Sequence, residues 1–288
     1  KRWDEIQIAP RPYLKGSAAD SAAKEIQGEF QQYVDRAQEL LHSWIEAGIG
    51  VISILDVDFP AGLKQIEKAP VFLYFRGNVS LLIDGKGIAI IGTRQSTSFG
   101  ESIAKRLAQA VCARGYTVVS GLAHGIDAEA HRGALSVSGK TIAVLVNVAE
   151  IYPHENQPLA KEILEKDGLL VAENPPGTQT QPRLFVDRDR IQSGLSFAVF
   201  PIETAVKGGT MHTVRFAREQ GKWLLCLEPS ELYQNSRREY ADGINWIVKE
   251  GGTTYTSGRL EEVADRLSKL ENSSPIPSAM LQQNLDFK

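Results

Sequence analysis

Cysteine is nearly absent: Cys112 and Cys226 are the two in 288 residues. They sit in apolar contexts, AVCAR and LLCLE, with no C-x-x-C partner and no histidine cluster, which argues against a disulfide scaffold or a zinc site and fits a reducing compartment. An excess of charge of one sign is missing too. The 32 Lys plus Arg against 35 Asp plus Glu leave a net charge of −3, so a globally basic nucleic-acid clamp is excluded. Any polyanion contact must then come from a local cluster of Lys, Arg and helix N-termini. No apolar run approaches the roughly 18 residues of a membrane span. The longest, TIAVLVNVA at 141–149, has the length of a buried strand. No signal-peptide pattern follows Lys1-Arg2, so a cytoplasmic protein without membrane association is expected. No internal repeat is visible.

What is present is a globular composition, 42% hydrophobic and 23% charged, in a chain long enough for one large domain or one plus a small appendage. The first fifty residues stand apart. From Ala18 to Ala47, Ile26, Phe30, Tyr33, Leu40, Leu41 and Trp44 recur along one helical face, and Gly48 and Gly50 stop the pattern. A short strand VISIL, the Pro60 turn, a brief helix through Leu63 and Ile66 and a second strand VFLYF read as a preamble docking on the main domain.

From Gly87 to about Thr256, strands alternate with amphipathic helices: GIAII, TVVSG, TIAVLV, LLVAE, SFAVFPIE and KWLLCL are continuous apolar runs. This is the pattern of βαβ units. It predicts an α/β fold, a Rossmann-like doubly wound, mostly parallel sheet with helices on both faces, plus a small helical N-terminal extension. The expected domains are a helical extension over 1–47 and a main domain over 48–258, with its preamble at 48–86 and core at 87–258. A terminal helix and a mobile polar tail fill 259–288.

In such sheets ligands bind outside the carboxyl ends of the strands, and four of the loops there are unusual. After GIAII comes Gly92-Thr93-Arg94, then hydroxyl residues able to cap the next helix; it can hold an anion but lacks the G-x-G-x-x-G dinucleotide fingerprint. After TVVS, Ser120, Gly121 and Gly125 border a loop with His124, and the glycines are expected to expose backbone N–H groups. His124 and His131 read as cap or packing groups at least as readily as functional ones. The third segment, PPGTQTQPRLFVDRDRIQSGLS, reads as the one long loop, with a helix expected near Ile191. It carries Arg183, Phe185, Arg188 and Arg190, a phosphate-and-base combination suited to single strands, unless Asp187 and Asp189 neutralise it internally. The fourth, Lys207-Gly208-Gly209-Thr210, opens a helix and forms a nest of N–H donors beside a lysine. Glu203 either takes a ribose hydroxyl or caps its loop, and pairing it with Glu173 as an acid/base couple has nothing to fix their separation.

The ordered set IIGTR, VVSGLAHGIDAEAH, GKTIAVL, IYPHEN, LLVAEN, FVDRDRIQSGLS, IET and the Gly-Gly-Thr helix start resembles the DNA-processing protein A (DprA, or Smf) family over about residues 46–255, with FPAGLKQIEKAPVFLYFRGN upstream. The resemblance implies a dimeric protein that binds single-stranded DNA without strong sequence preference and hands it to a RecA-type recombinase in natural transformation. It implies no catalytic activity, cofactor or metal. The loop reading and the resemblance together give as DNA- or phosphate-binding candidates Gly92, Thr93, Arg94, Ser120, Gly121, His124, Gly125, Phe185, Arg188, Asp189, Arg190, Lys207, Gly208, Gly209 and Thr210, of which Arg94, the loop from Gly121, Phe185, Arg188, Arg190 and Gly208 to Thr210 match the family by position. Asp189 stands where the family usually has Asn, and Val186 replaces a usual Pro. The C-terminal winged helix of many members has no counterpart after Gly258.

The alternative is a nucleotide-binding sensor, or a relative of the LOG-type phosphoribohydrolases of the same superfamily, in phage defence for instance. The glutamate expected after the Gly-Gly-Thr turn is absent, since 211–216 reads MHTVRF. That loss removes the group that would stabilise a ribosyl cation and argues against hydrolysis.

Overall fold

The computed structural model describes residues 17–271, which fall into two compact units divided between Ile49 and Gly50. The first contains helix α1, Ser17–Glu46. The polar tail read from Asn272 lies outside the described residues.

The second unit runs β1 Gly50–Ser53, α2 Ala61–Lys64, β2 Phe72–Gly77, β3 Gly87–Ile91, α3 Ser98–Cys112, β4 Thr117–Ser120, α4 Ile126–Ser136, β5 Thr141–Leu145, α5 Gln157–Glu165, β6 Leu169–Ala172, α6 Pro182–Gly194, β7 Ser196–Pro201, α7 Thr210–Glu219, β8 Trp223–Leu227, α8 Pro229–Asn235, α9 Arg238–Lys249, β9 Thr253–Tyr255 and α10 Leu260–Glu271. The strands line up as β1-β2-β6-β5-β4-β3-β7-β8-β9. All pairs from β6 to β9 are parallel, while β2 joins β6 and β1 joins β2 antiparallel. The segment 50–77 therefore extends the sheet as well as docking on it.

Strands β3, β4, β5 and β6 are buried along their whole length, as a parallel sheet covered on both faces requires. One apolar layer joins Ile88, Ile90, Leu107 and Phe200 to Ile244 of α9 and Leu260 and Leu267 of α10. The other joins Leu63, Leu73, Val119, Ile142, Leu169 and Val171 to Ile191 of α6. Between Leu227 and Gly258 the structure adds α8, α9 and β9, which the sequence reading leaves unassigned. Both cysteines are free thiols, and burial pushes each up to about 12. No helix among the described residues is long and apolar enough to cross a membrane. The order in which strands are added reverses between the parallel neighbours β3 and β7, with β4 to β6 on one side and β8 and β9 on the other. That switch point opens a crevice at the carboxyl ends of β3 and β7.

Candidate nucleic-acid interface

The loops after β3, β4, β5 and β7, with helices α6 and α7, build the crevice. Thr97 caps α3 through its hydroxyl, which accepts from Gly100 N. It also ties the loop after β3 to the end of β7, where its N–H and hydroxyl donate to the fully buried Glu203 carboxylate at 2.9 and 2.6 Å. Ser236 donates to the same carboxylate. Of the two roles open to Glu203, the loop-holding one is therefore realised. The loop after β4 folds tightly against the first: Gly125 has φ +72°, and a Cβ there would strike Thr93 O, Ser96 Oγ and Arg94 O. Only glycine fits such a close, left-handed approach.

The expected long loop ends at Gln181. From Pro182, placed in the first turn where its missing N–H costs nothing, the chain is helix α6. Arg183, Phe185, Arg188, Asp189 and Arg190 therefore lie on a helix. Its buried side is mostly polar, with Arg188, Arg190, Gln192 and Ser193 beside Ile191, so it carries no apolar period to betray it.

A groove of about 620 Å³ runs past Gly92, Thr93, Arg94, Phe185, Arg188, Asp189, Gly208, Gly209 and Thr210. A side cavity of about 210 Å³ opens beside it, walled by Arg94, Gly121, His124, Tyr152, His154, Phe185 and Arg188. The exposed Arg94 guanidinium lies 5.5 Å from the centre of the Phe185 ring, a cation–π distance. Tyr152 stands 5.4 Å beyond Phe185 and His154 6.1 Å beyond Tyr152. The result is a short aromatic ladder with a cation at one end. Tyr152 and His154 are site residues that the reading of charges and glycines passed over. Their signal was their place, in the loop after β5, at the same edge of the sheet.

Arg188 is the centre of the site and is only 6% exposed. Its Nη2 donates to Gly121 O at 3.2 Å. A Cβ on residue 121 would overlap the guanidinium, so glycine is what admits the arginine. Nη1 is 3.5 Å from Asp189 Oδ1, an ion-pair separation too long for a hydrogen bond, and Nε and Nη1 have no acceptor. Asp127 and Asp189 flank it; burial is the main cause that raises both carboxyls above their ordinary values, Asp189 to about 6, while Arg188 opposes the rise. Gln192 and Thr213 donate to Asp189. Helix α7 begins in the same groove lining with no side-chain cap, leaving the positive end of its dipole open to the groove.

Five expected site residues are placed differently. Arg190 is 7% exposed and donates to Glu173 at 2.5 Å, to Asp187 O at 2.6 Å and to Lys68 O at 3.0 Å, so its donors hold scaffold together and do not face the groove. This also removes Glu173 from any acid/base couple with Glu203. Ser120 is buried and donates to Ile90 O. The Gly121 N–H, expected to be open, donates to Asp127 Oδ2 at 3.1 Å. Gly125 serves packing, as described. Lys207 lies on a separate apolar cleft between α7 and α9 with Val206, Met211 and Trp246. His124 lines the side cavity, 3.6 Å from Glu155. His131 is fully buried against Thr141 Oγ1, and burial drives it down to about 3, a neutral packing group. Among the described residues no cluster of His, Cys, Asp or Glu is arranged to hold a metal ion.

Residues 50–268 match the sequence profile of the DNA recombination-mediator protein A family. The chain is 32% identical to DNA processing protein DprA of Bacillus subtilis over 264 residues, 91% of this chain and 84% of that one. Against DprA of Streptococcus pneumoniae the identity is 35% over 72% of this chain and 71% of the relative. Protein Smf of Synechocystis is 39% identical over 63% of this chain, a match spanning 46% of that protein. The crystal structure of S. pneumoniae DprA superimposes with a TM-score of 0.71 at 29% identity, over 87% of this chain and 83% of the other. DNA processing protein A of Helicobacter pylori, whose structure was described for its single-stranded DNA binding mode, gives 0.67 at 26% identity over 77% and 96%. With three quarters of its length inside the family profile and relatives above 30% identity along most of their length, this chain belongs to the DprA/Smf family of DNA recombination mediators.

Proposed function

We propose that the groove at the β3/β7 switch point binds single-stranded DNA without sequence preference and presents it to a RecA-type recombinase, with the protein acting as a homodimer and catalysing no reaction itself. The observation that carries this reading is the union, in one open groove, of Arg94 and Arg188 with the Phe185–Tyr152 ladder. Cations and an uncapped helix start hold phosphates, and aromatic faces accept any base. A relative of the same fold, from H. pylori, binds single-stranded DNA. The recombinase and the dimer are properties that family membership suggests.

A mononucleotide sensor is the second reading, favoured by the gathering of Arg94, Arg188, His124 and the Phe185 ring around one side cavity. Titration of fluorescent oligo-dT at several salt concentrations, with duplex DNA and mononucleotides as competitors, separates the two. Tight binding that weakens steeply with salt and resists mononucleotides is expected. Saturable mononucleotide binding without strand binding would reverse the choice.

A further inference from the structure

The groove has an end that offers more donors than a strand passing through it can use. There Arg188 is buried with Nε and Nη1 lacking any acceptor, although the residue forms part of the wall of both the groove and the side cavity. Buried guanidinium donors without partners are rare and costly, and they mark a place where a guest completes the bonding. The same groove is lined by Gly209 and Thr210 at the start of the ten-residue helix α7, which has no side-chain cap.

We propose that this end, between Arg188 and the start of α7, is a receptor for a phosphomonoester, the terminal phosphate of a DNA strand, in preference to an internal phosphodiester. The inference rests on the single-strand reading of the groove and goes beyond it. An internal phosphodiester carries one charge, has two free oxygens, and must lead both ester arms back to the surface. A terminal phosphate carries nearly two charges at neutral pH, has three free oxygens and only one arm, and so enters end-on. It can accept from Arg188 and from the Gly209 and Thr210 N–H groups together, since those of Met211 and His212 already donate to Gly208 O and Gly209 O.

Asp189 is the obstacle and the filter. Its carboxylate stands 3.5 Å from Arg188 Nη1, held by Gln192 and Thr213. Burial raises its affinity for a proton, with Asp127 adding to the effect. When a phosphate enters, Asp189 is the group placed to take up a proton, and its O–H then donates to a phosphate oxygen. A dianionic monoester is a stronger acceptor for that bond than a diester.

The test compares 20-residue oligo-dT carrying a 5′-phosphate, a 3′-phosphate or hydroxyls at both ends, with thymidine monophosphate and thymidine as competitors. One phosphorylated end is expected to tighten binding about tenfold, the worth of one charge-assisted hydrogen bond. Arg188→Met is expected to erase that difference. A second readout needs no variant: in ³¹P spectra of a 5′-phosphorylated hexamer, the terminal resonance shifts on binding the wild-type protein more than the diester resonances do. Equal affinity of all three strands with no selective shift overturns the proposal and leaves strand binding standing. Failure of every strand while thymidine monophosphate binds and thymidine does not would keep the phosphomonoester site, assign it to free nucleotides and sink the strand reading. Failure of all probes overturns both.

Discussion

Where α6 meets the segment after α2, Arg190 is matched donor by donor to Glu173, Asp187 O and Lys68 O. Where the same helix meets the groove, Arg188 keeps one hydrogen bond, to Gly121 O, and leaves two nitrogens without acceptors beside a carboxyl that takes up its proton at about 6. Both side chains are buried, and both carry a full charge out of water, which is tolerable only with compensation. In the first region the chain supplies that compensation itself. In the second it supplies part and leaves geometry for an anion to supply the rest. Satisfied charge marks scaffold, and unsatisfied charge marks the site.

The contrast can be broken most severely at Arg190. Arg190→Ala strands Glu173 and two carbonyls, and urea unfolding should show a loss of about 3 kcal/mol, with DNA affinity of the folded fraction unchanged at low temperature. A fall in affinity with intact stability would place Arg190 in the groove after all. Next in size, Arg188→Met should weaken oligo-dT binding by about ten- to a hundredfold, the range for charged hydrogen bonds. It should cost less stability than Arg190→Ala because only one bond is lost. Arg94→Ala, at an exposed position, should leave unfolding unaffected, weaken binding several-fold at low salt and flatten the salt slope by about one.

The smallest effect sharpens the electrostatic half of the comparison. The Asp189 carboxyl is neutral below about 6 and charged above. Wild-type affinity should therefore fall as pH rises from 5 to 7.5, by about threefold, and Asp189→Asn should remove that part of the profile while tightening binding at pH 7.5. The other groups facing this corner are Arg188 and, from α4, Asp127, with neutral His131 behind them. His212 on α7 is held below the ordinary histidine value by burial and Arg215. An unaltered pH profile in Asp189→Asn would assign the titration to one of these instead.

Most of the fold was legible because parallel strands must be apolar throughout: GIAII, TVVS, TIAVL and LLVA announce themselves. Helix α9 also carried a signal, with Tyr240, Ile244 and Ile247 at helical spacing. The three-residue strand β9 carried none, being too short for any period. The helix expected near Ile191 starts earlier, at Pro182, and its first turns carry no apolar signal because the groove requires the buried side of α6 to be polar. Of the candidate site, the loops after β3 and β7 were legible from Gly92 to Arg94 and from Gly208 to Thr210, which the groove brings together. The ladder partner Tyr152 was not, since nothing in a local sequence tells which ring a distant phenylalanine meets.

The sequence by itself determined the doubly wound order of strands and helices, and hence the sheet edge where the chemistry gathers. It could not say which arginine of DRDR serves the groove. Tertiary structure decided that through helix geometry: at about 100° per residue, positions 188 and 190 point some 200° apart around α6. Once Ile191 docks into the apolar layer against β5 and β6, Arg188 is turned to the groove and Arg190 away from it.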